Sequence, residues 1–379
     1  MEPTKILFIS NIAGKRVDSF SIASITAAKA LGIEFHRAAS YENSSLEQME
    51  FDERRYGIKQ HHIDFIRNPM DIRNVKAYEQ VVGLIRREKF DVIHCNTPIG
   101  GVIGRLAGKK CDVKKVIYQA HGFHFYKGAH LKNWLMYYPA ERWLAHFTDA
   151  LITINQEDYE LARSKFRLRG NGKVYYVPGV GIDLEQYAAV KGDVSEKKRK
   201  ELHLPQDAFL LISVGELNAN KNNSVVISAM EKLGNKKVHY ILCGEGNEQQ
   251  ALQKQADQTG LHDNVHFLGF RTDVRELYQT ADCFVCASLR EGLPRSTMEA
   301  MASRVPCVAS RIRGNVDLLV SSQLLFDPHD ADNLCAVLKK AMDQNIANEE
   351  VRQNSRTIQH FSTKEVVQAM QQVYREILG

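Results

Sequence analysis

The chain has 379 residues, 44% hydrophobic and 25% charged, with a formal net charge of +5. That is an ordinary globular composition, long enough for two domains, and it excludes disordered and fibrous classes. No window approaches the roughly 20 apolar residues of a transmembrane helix. The opening Met1-Glu2-Pro3-Thr4 lacks the apolar core of a secretory signal. Seven cysteines, an odd number scattered through apolar runs, argue for a reducing compartment rather than a disulfide framework. The expectation is a cytoplasmic protein able to touch a membrane. Basic groups gather at Arg86, Arg87 and Lys89, at Lys109, Lys110, Lys114 and Lys115, and at Lys197, Lys198, Arg199 and Lys200. Two readings of these clusters stand: solvated surface, or attraction to anionic lipid headgroups. No aromatic-basic motif accompanies them, so nucleic acid is not an expected partner.

Taken in chain order, residues 5–10, 91–95, 115–120 and 150–154 have the apolar character of buried parallel strands. Residues 19–31, 75–89 and 98–109 carry helical apolar spacing. The alternation predicts a βαβ sheet whose ligand loops lie at the strands' carboxyl ends. The stretch from Phe123 to Phe147 is dense in aromatic and basic residues. Trp134, Tyr138 and Arg142 share a helical face there, which reads either as core packing or as an interfacial surface. After the basic run near residue 200 a second series begins. Its strands are predicted at 209–214, 238–243, 265–267, 283–287, 306–309 and 324–326. Cys283 and Cys286 sit three apart within a strand, so their side chains point to opposite faces and packing explains them better than a redox or zinc pair. Residues 362–378 form an amphipathic helix that Ser362 or Thr363 can cap.

One segment of the second series carries the most chemistry. Glu291 and Glu299 bracket Gly292-Leu293-Pro294-Arg295-Ser296-Thr297-Met298. An apolar strand precedes this stretch and a helix follows, with Pro294 expected in the first helical turn, where a missing N–H costs little. The free N–H groups of such a helix start, with its positive dipole end, suit a phosphate-bearing ligand. Glu299, in the second turn, can accept hydrogen bonds from a vicinal diol such as ribose. Glu291 can hold the hydroxyls of a second sugar. A nucleotide-sugar fits that layout. Lys221, close behind a Gly215 turn, can offset the negative charge that grows on a leaving diphosphate.

The Glu-x7-Glu pattern after a strand, with Gly at its second position, resembles the retaining GT-B glycosyltransferases of family 4. Val214-Gly215-Glu216-Leu217 with Lys221, Gly244-Glu245-Gly246, and Val177-Pro178-Gly179-Val180-Gly181-Ile182-Asp183 are similar to other family segments, in the same order. The resemblance spans nearly the whole chain and looks closest to bacterial enzymes of capsule, exopolysaccharide or lipid-linked oligosaccharide assembly. It implies two doubly wound, Rossmann-like α/β domains, residues 1–185 and 186–379, facing a central cleft, with the last helix (about 362–379) crossing back onto the first. It further implies a UDP-sugar donor and a saccharide or polyprenyl-diphosphate-linked acceptor, with no cofactor and no metal.

Site roles follow the same resemblance. His121, at a strand's carboxyl end, matches a histidine close to the donor sugar, although a structural hydrogen bond is the plainer reading of a lone histidine. Phe270 and Arg271 match the segment that holds the base. Asn96 lies on the acceptor side, and Gly14 stands where relatives carry a Gly-Gly pair. Gly215, Gly292, Leu293, Pro294, Arg295, Ser296 and Thr297 would surround the diphosphate. Glu216 departs from the pattern, since the family commonly has arginine there. Either it points away, or Arg295, Arg290, Arg16 or Lys15 supplies the missing charge. Asp330-Ala331-Asp332 has the spacing of the metal signature of the other large glycosyltransferase fold, but a helix cap explains it better. Two rival functions share the layout: a nucleotide-sugar 2-epimerase and a non-catalytic nucleotide-sugar-binding subunit.

Overall fold

The structure, a computed structural model, describes residues 3–13, 17, 19–42, 44–68, 71–188 and 194–379. Contacts divide the chain into two compact units, one of residues 1–181 with 363–379 and one of residues 182–362. The last helix, Thr363–Leu378, therefore belongs to the first unit. Its residues Val366, Met370, Val373, Tyr374 and Ile377, spaced along one helical face, are buried.

In the first unit, seven parallel strands run β1 (Lys5–Ile12), β2 (Glu34–Ser40), β3 (Lys59–His62), β4 (Val92–Asn96), β5 (Lys115–Ala120), β6 (Ala150–Thr153) and β7 (Lys173–Tyr176). Their order across the sheet is β3-β2-β1-β4-β5-β6-β7. The central strands are buried on both faces, which is why they read as continuous apolar runs. Three strands escape a periodicity reading. β2 buries the polar side chains of His36 and Arg37, while β3 and β7 are short edge strands of mixed polarity.

The second unit repeats the architecture with β8 (Phe209–Val214), β9 (Val238–Cys243), β10 (Val265–Gly269), β11 (Cys283–Cys286), β12 (Cys307–Ser310) and β13 (Leu325–Phe326), in the order β10-β9-β8-β11-β12-β13. Cys283 packs into the core on one side of this sheet and Cys286 into that on the other, as the pleat requires. Asp330 caps the helix Ala331–Ala341, accepting from the backbone N–H of Asn333 at 2.9 Å. Each sheet reverses its strand order once, at β1/β4 and at β8/β11. Ligands of open α/β sheets bind beyond the carboxyl ends at such points.

Candidate active site

At the β8/β11 reversal a pocket is lined by Ser213, Gly215, Lys221, Ala287, Ser288 and Ser296. Its floor is backbone pressed against backbone. The loop after β8 is paired with the loop after β9 through Leu217 N–H to Glu245 O and Glu248 N–H to Leu217 O, both 2.9 Å. Gly244 makes that approach possible: a Cβ there, at φ +145°, would lie 1.9 Å from the Gly215 carbonyl oxygen. This is the physical content of the Gly-x-Gly turn.

Lys221 ends a short 3-10 turn, Ala219–Lys221, with its backbone N–H held by the Asn218 side chain. Its Nζ lies 2.7 Å from Oε1 of Glu291. Burial works against the ammonium, but the Glu291 carboxylate more than offsets it and raises the lysine's pKa. Glu216, ahead of that turn in the loop after β8, is exposed and adds to the negative field around Lys221.

Three neighbouring asparagines brace the arrangement. Asn220 donates to Arg290 O at 3.0 Å and accepts from Leu289 N–H at 2.8 Å. Asn222, in the left-handed region at φ +51°, donates to Ala287 O and Pro328 O. Asn223 accepts from the buried Tyr240 hydroxyl. Asn220 and Asn222 join the loop after β8 to the loop after β11, Asn223 ties it to β9, and sequence reasoning misses all three. The signal available is composition, since four of the six residues 218–223 are asparagine.

Beyond β11, Glu291 is steadied through its carbonyl by Arg313 Nε at 3.1 Å. Gly314, at φ +83°, lets a neighbouring turn close on Gly292, whose carbonyl oxygen lies 2.5 Å from where a Cβ would stand. The helix then runs Arg295–Ala302. Pro294 is not in its first turn, as expected, but at the N-cap, extended at φ −73°, ψ 118° and making no side-chain cap bond. Helical geometry begins one residue later because Arg295, not the proline, takes the first turn. The N–H groups of that turn are thus left uncapped by the N-cap side chain, beside the pocket.

Glu299 does sit in the second turn, and it is fully engaged. Arg295 Nε lies 2.9 Å from Oε1, and the buried Tyr278 hydroxyl lies 3.3 Å from Oε2. Tyr187 packs alongside, with its hydroxyl pushed up to about 12 by burial and by the Glu299 charge. Arg295, a candidate for the cation missing at Glu216, is therefore aimed at a carboxylate. Phe270 follows β10 and is 75% exposed. Arg271 beside it pairs through two nitrogens with Asp273, and also with Glu201.

Other candidates belong to the first unit. Asn96 ends β4 and His121 follows β5. At the β1/β4 reversal the buried oxygens Ser10 Oγ, Asn11 Oδ1 and Asn96 Oδ1 have no hydrogen-bond partner. Thr97, next in the chain, holds φ +61° and ψ 155°, a conformation costly for a β-branched residue. The loop carrying His121 is anchored by Phe123, whose N–H donates to the buried Asp158 at 3.0 Å and whose ring stacks on Phe125 at 4.8 Å. Gly14, Lys15 and Arg16 lie outside the described residues. Among the described residues no cluster of three or more His, Cys, Asp or Glu side chains has metal-binding geometry, and no helix is long and apolar enough to cross a membrane.

Residues 194–358 match the family described as glycosyl transferases group 1, and residues 5–155 the one described as glycosyl transferase 4-like. The putative glycosyltransferase EpsD of Bacillus subtilis is 34% identical, over 98% of this chain and 96% of that protein. The chain is a family 4 GT-B glycosyltransferase. An Escherichia coli relative, UDP-Gal:alpha-D-GlcNAc-diphosphoundecaprenol alpha-1,3-galactosyltransferase, is 29% identical over 74% of each chain. Anabaena HepE, solved in complex with UDP and glucose, superposes with a TM-score of 0.78 at 20% identity, covering 98% of this chain and 100% of that one, a likeness of fold. In this glycosyltransferase the two glutamates of the Glu-x7-Glu segment are both turned to basic partners, Glu291 to Lys221 and Glu299 to Arg295.

Proposed function

We propose that this glycosyltransferase moves a hexose or N-acetylhexosamine, with retention of configuration, from a UDP-sugar to a hydroxyl of a polyprenyl-diphosphate-linked saccharide in cell-surface polysaccharide assembly. It would work at the cytoplasmic face of a membrane. The observation that carries the donor side is the Lys221–Glu291 pair beside an uncapped helix start. The E. coli relative named for a UDP-Gal donor and a diphosphoundecaprenol acceptor supports the substrate classes.

In this reading the diphosphate lies against the N–H groups of Arg295, Ser296 and Thr297 and draws Lys221 toward it, so that positive potential is in place where negative charge develops. Gly215, Gly292, Leu293 and Pro294 shape the backbone around it. Glu299 takes the ribose hydroxyls and Glu291 the hexose. Phe270 and the backbone near Arg271 hold the base. His121 stabilises the reacting centre, while the unpartnered oxygens near Asn96 accept from acceptor hydroxyls. The departing diphosphate receives the acceptor's proton on the same face, so no protein nucleophile is required.

The test is to incubate the protein with labelled UDP-sugars and a polyprenyl-diphosphate-linked saccharide, and to read the product's anomeric configuration by NMR. Transfer with retention supports the proposal. Donor isomerised at C2 without any acceptor would favour an epimerase. Donor binding with no turnover across the acceptor panel would favour a non-catalytic subunit, a reading that Glu216 in place of arginine leaves standing.

A further inference from the structure

We infer that the outward face of the helix Leu131–Ala145 is a docking surface for an anionic lipid bilayer. The inference sharpens the lipid-linked part of the proposed function by naming the surface, and its test reads lipid binding rather than transfer.

At about 100° per residue this helix has two distinct sides. Trp134, Tyr137 and Tyr138 pack against the core of the first unit, and Leu144 and Ala145 are buried. The aromatic pair Trp134 and Tyr138, singled out from the sequence as a candidate interfacial face, is thus core packing. The opposite side should then be polar if water were its only neighbour. Instead Leu131, Leu135, Met136 and Trp143 are 72%, 71%, 48% and 54% exposed, with Pro139 among them. The charged residues on this side are Lys132, which is exposed, and Arg142.

The helix has one acid, Glu141, and it is withdrawn from the outward face. Its Oε2 lies 2.7 Å from Nη1 of Arg105, a side chain with no solvent exposure. At the helix's end the Trp143 ring meets Phe147 edge-on at 5.0 Å, and Lys109 Nζ stands 4.0 Å over the Phe147 ring. Lys110 follows it, exposed. The helix therefore turns an apolar and basic side outward, with no carboxylate of its own there.

That combination selects its occupant. Leucine and tryptophan partition to the boundary between headgroups and acyl chains, while lysine and arginine reach back to lipid phosphates. Each base near an anionic leaflet adds to the attraction. A second copy of the chain fits less well, because a two-fold contact sets a patch against itself and would bring Lys132 and Arg142 against their own counterparts without an acid between them.

The experiment is flotation of the full chain with vesicles of phosphatidylcholine alone or with about one-third phosphatidylglycerol, across a salt series. Binding to the anionic vesicles should be stronger by about tenfold or more and should weaken with salt. Leu135→Glu with Trp143→Glu should lower it by about tenfold or more, and Lys132→Glu with Arg142→Glu should erase the preference for anionic lipid. Both variants should keep the wild-type melting temperature and UDP affinity. If the first pair misfolds, Leu131→Gln with Leu135→Gln replaces it. Absent vesicle binding, variants that bind like wild type, or a dimer that the Leu135→Glu/Trp143→Glu variant dissociates would each overturn the assignment. None of these outcomes depends on whether a sugar is transferred.

Discussion

Lys221 Nζ and Glu291 Oε1 lie 2.7 Å apart, so the cation suited to a diphosphate and the carboxylate suited to a hexose are held as one pair. On the proposed function a donor would exchange that contact for its own, the phosphate taking the lysine and the sugar hydroxyls the glutamate. Both residues are partly buried. On that reading the pair pre-positions the site.

Glu291→Ala should therefore lower transfer by about 10²–10³-fold, the scale of losing one preorganised polar group at a reacting centre. Its melting temperature should fall by only a few degrees, on the order of the effect of one polar contact. Steady-state kinetics beside a thermal melt decides this. A variant that turns over normally removes Glu291 from the mechanism.

For Glu299 the sharper readout is the nucleotide. A carboxylate that accepts from both ribose hydroxyls should make the wild type prefer UDP to 2′-deoxy-UDP by about tenfold, since a hydrogen bond to a charged group is worth about 1.5–3 kcal/mol. Glu299→Ala should bind both ligands alike in calorimetry. Tyr278→Phe removes a hydroxyl 3.3 Å from Oε2 and should weaken UDP binding less than Glu299→Ala does. Undiminished discrimination in Glu299→Ala would place the ribose elsewhere.

Gly244 tests how tightly the pocket floor is packed, with a helical glycine elsewhere as its contrast. At Gly244 a Cβ would fall 1.9 Å from the Gly215 carbonyl oxygen, and that neighbour is backbone. Gly244→Ala should cost about 2 kcal/mol or more, adding left-handed strain to overpacking, and should weaken UDP binding as the loop after β8 shifts. Gly83, inside the helix Asn74–Glu88, is the contrast, because nothing lies within 4 Å of where its Cβ would stand. Gly83→Ala should stabilise by about 0.5–1 kcal/mol through helix propensity alone. Urea unfolding of the two variants separates packing from propensity.

The donor-side segment is legible from sequence because its signals are local: an apolar strand, a glycine loop, a proline and an apolar-spaced helix within about twenty residues. The parallel sheets follow from the alternation of elements, whereas the strand order whose reversal locates the pocket comes from the structure. Asn220 and Asn222 are opaque for the opposite reason, since their partners at Arg290, Ala287 and Pro328 stand 65 to 106 residues away. β2 is hidden because His36 and Arg37 are polar by type yet buried by tertiary context. Pro294 falls one position from its expected place, a difference that neighbouring-residue preferences cannot resolve, because proline suits both the cap and the first turn.

Stability should depend on pH through histidines held neutral. Burial pushes His94 down to about 3 and, with a neighbouring imidazole in each case, His61 and His266 down to about 4; Gln119 partly offsets the effect at His94. The stacked pairs His36–His61 and His239–His266 occupy the β2/β3 and β9/β10 edges of the two sheets. For a depressed folded value the unfolded chain binds more protons between that value and about 6.5, so stability rises with pH across this window and is level above it. Each tenfold difference in proton affinity is worth about 1.4 kcal/mol. Glu34 and Asp64, lowered to about 2, add their loss only below the ordinary carboxylate range. Thermal melts from pH 8 to 5 should be flat and then fall below about 6.5, and His61→Gln with His266→Gln should flatten the slope. A melting temperature that rose on acidification would refute the assignment.

The last helix offers a test of how the chain's end is secured. Tyr374 is fully buried on Thr363–Leu378, and its hydroxyl lies 2.8 Å from Nδ1 of His94, itself buried on β4. Burial drives the phenol's pKa upward, so it stays a neutral partner to a neutral imidazole. Tyr374→Phe keeps the ring's packing but leaves a buried ring nitrogen without that contact, at a cost of about 1–3 kcal/mol. His94→Phe in the same background replaces the stranded nitrogen with carbon, and the double variant should recover part of the loss, because two apolar partners can be nearly neutral where one polar orphan is not. A double-mutant cycle in urea measures the coupling. Additive losses would mean that packing of Val366, Met370 and Val373 alone holds the helix, with the hydrogen bond contributing nothing.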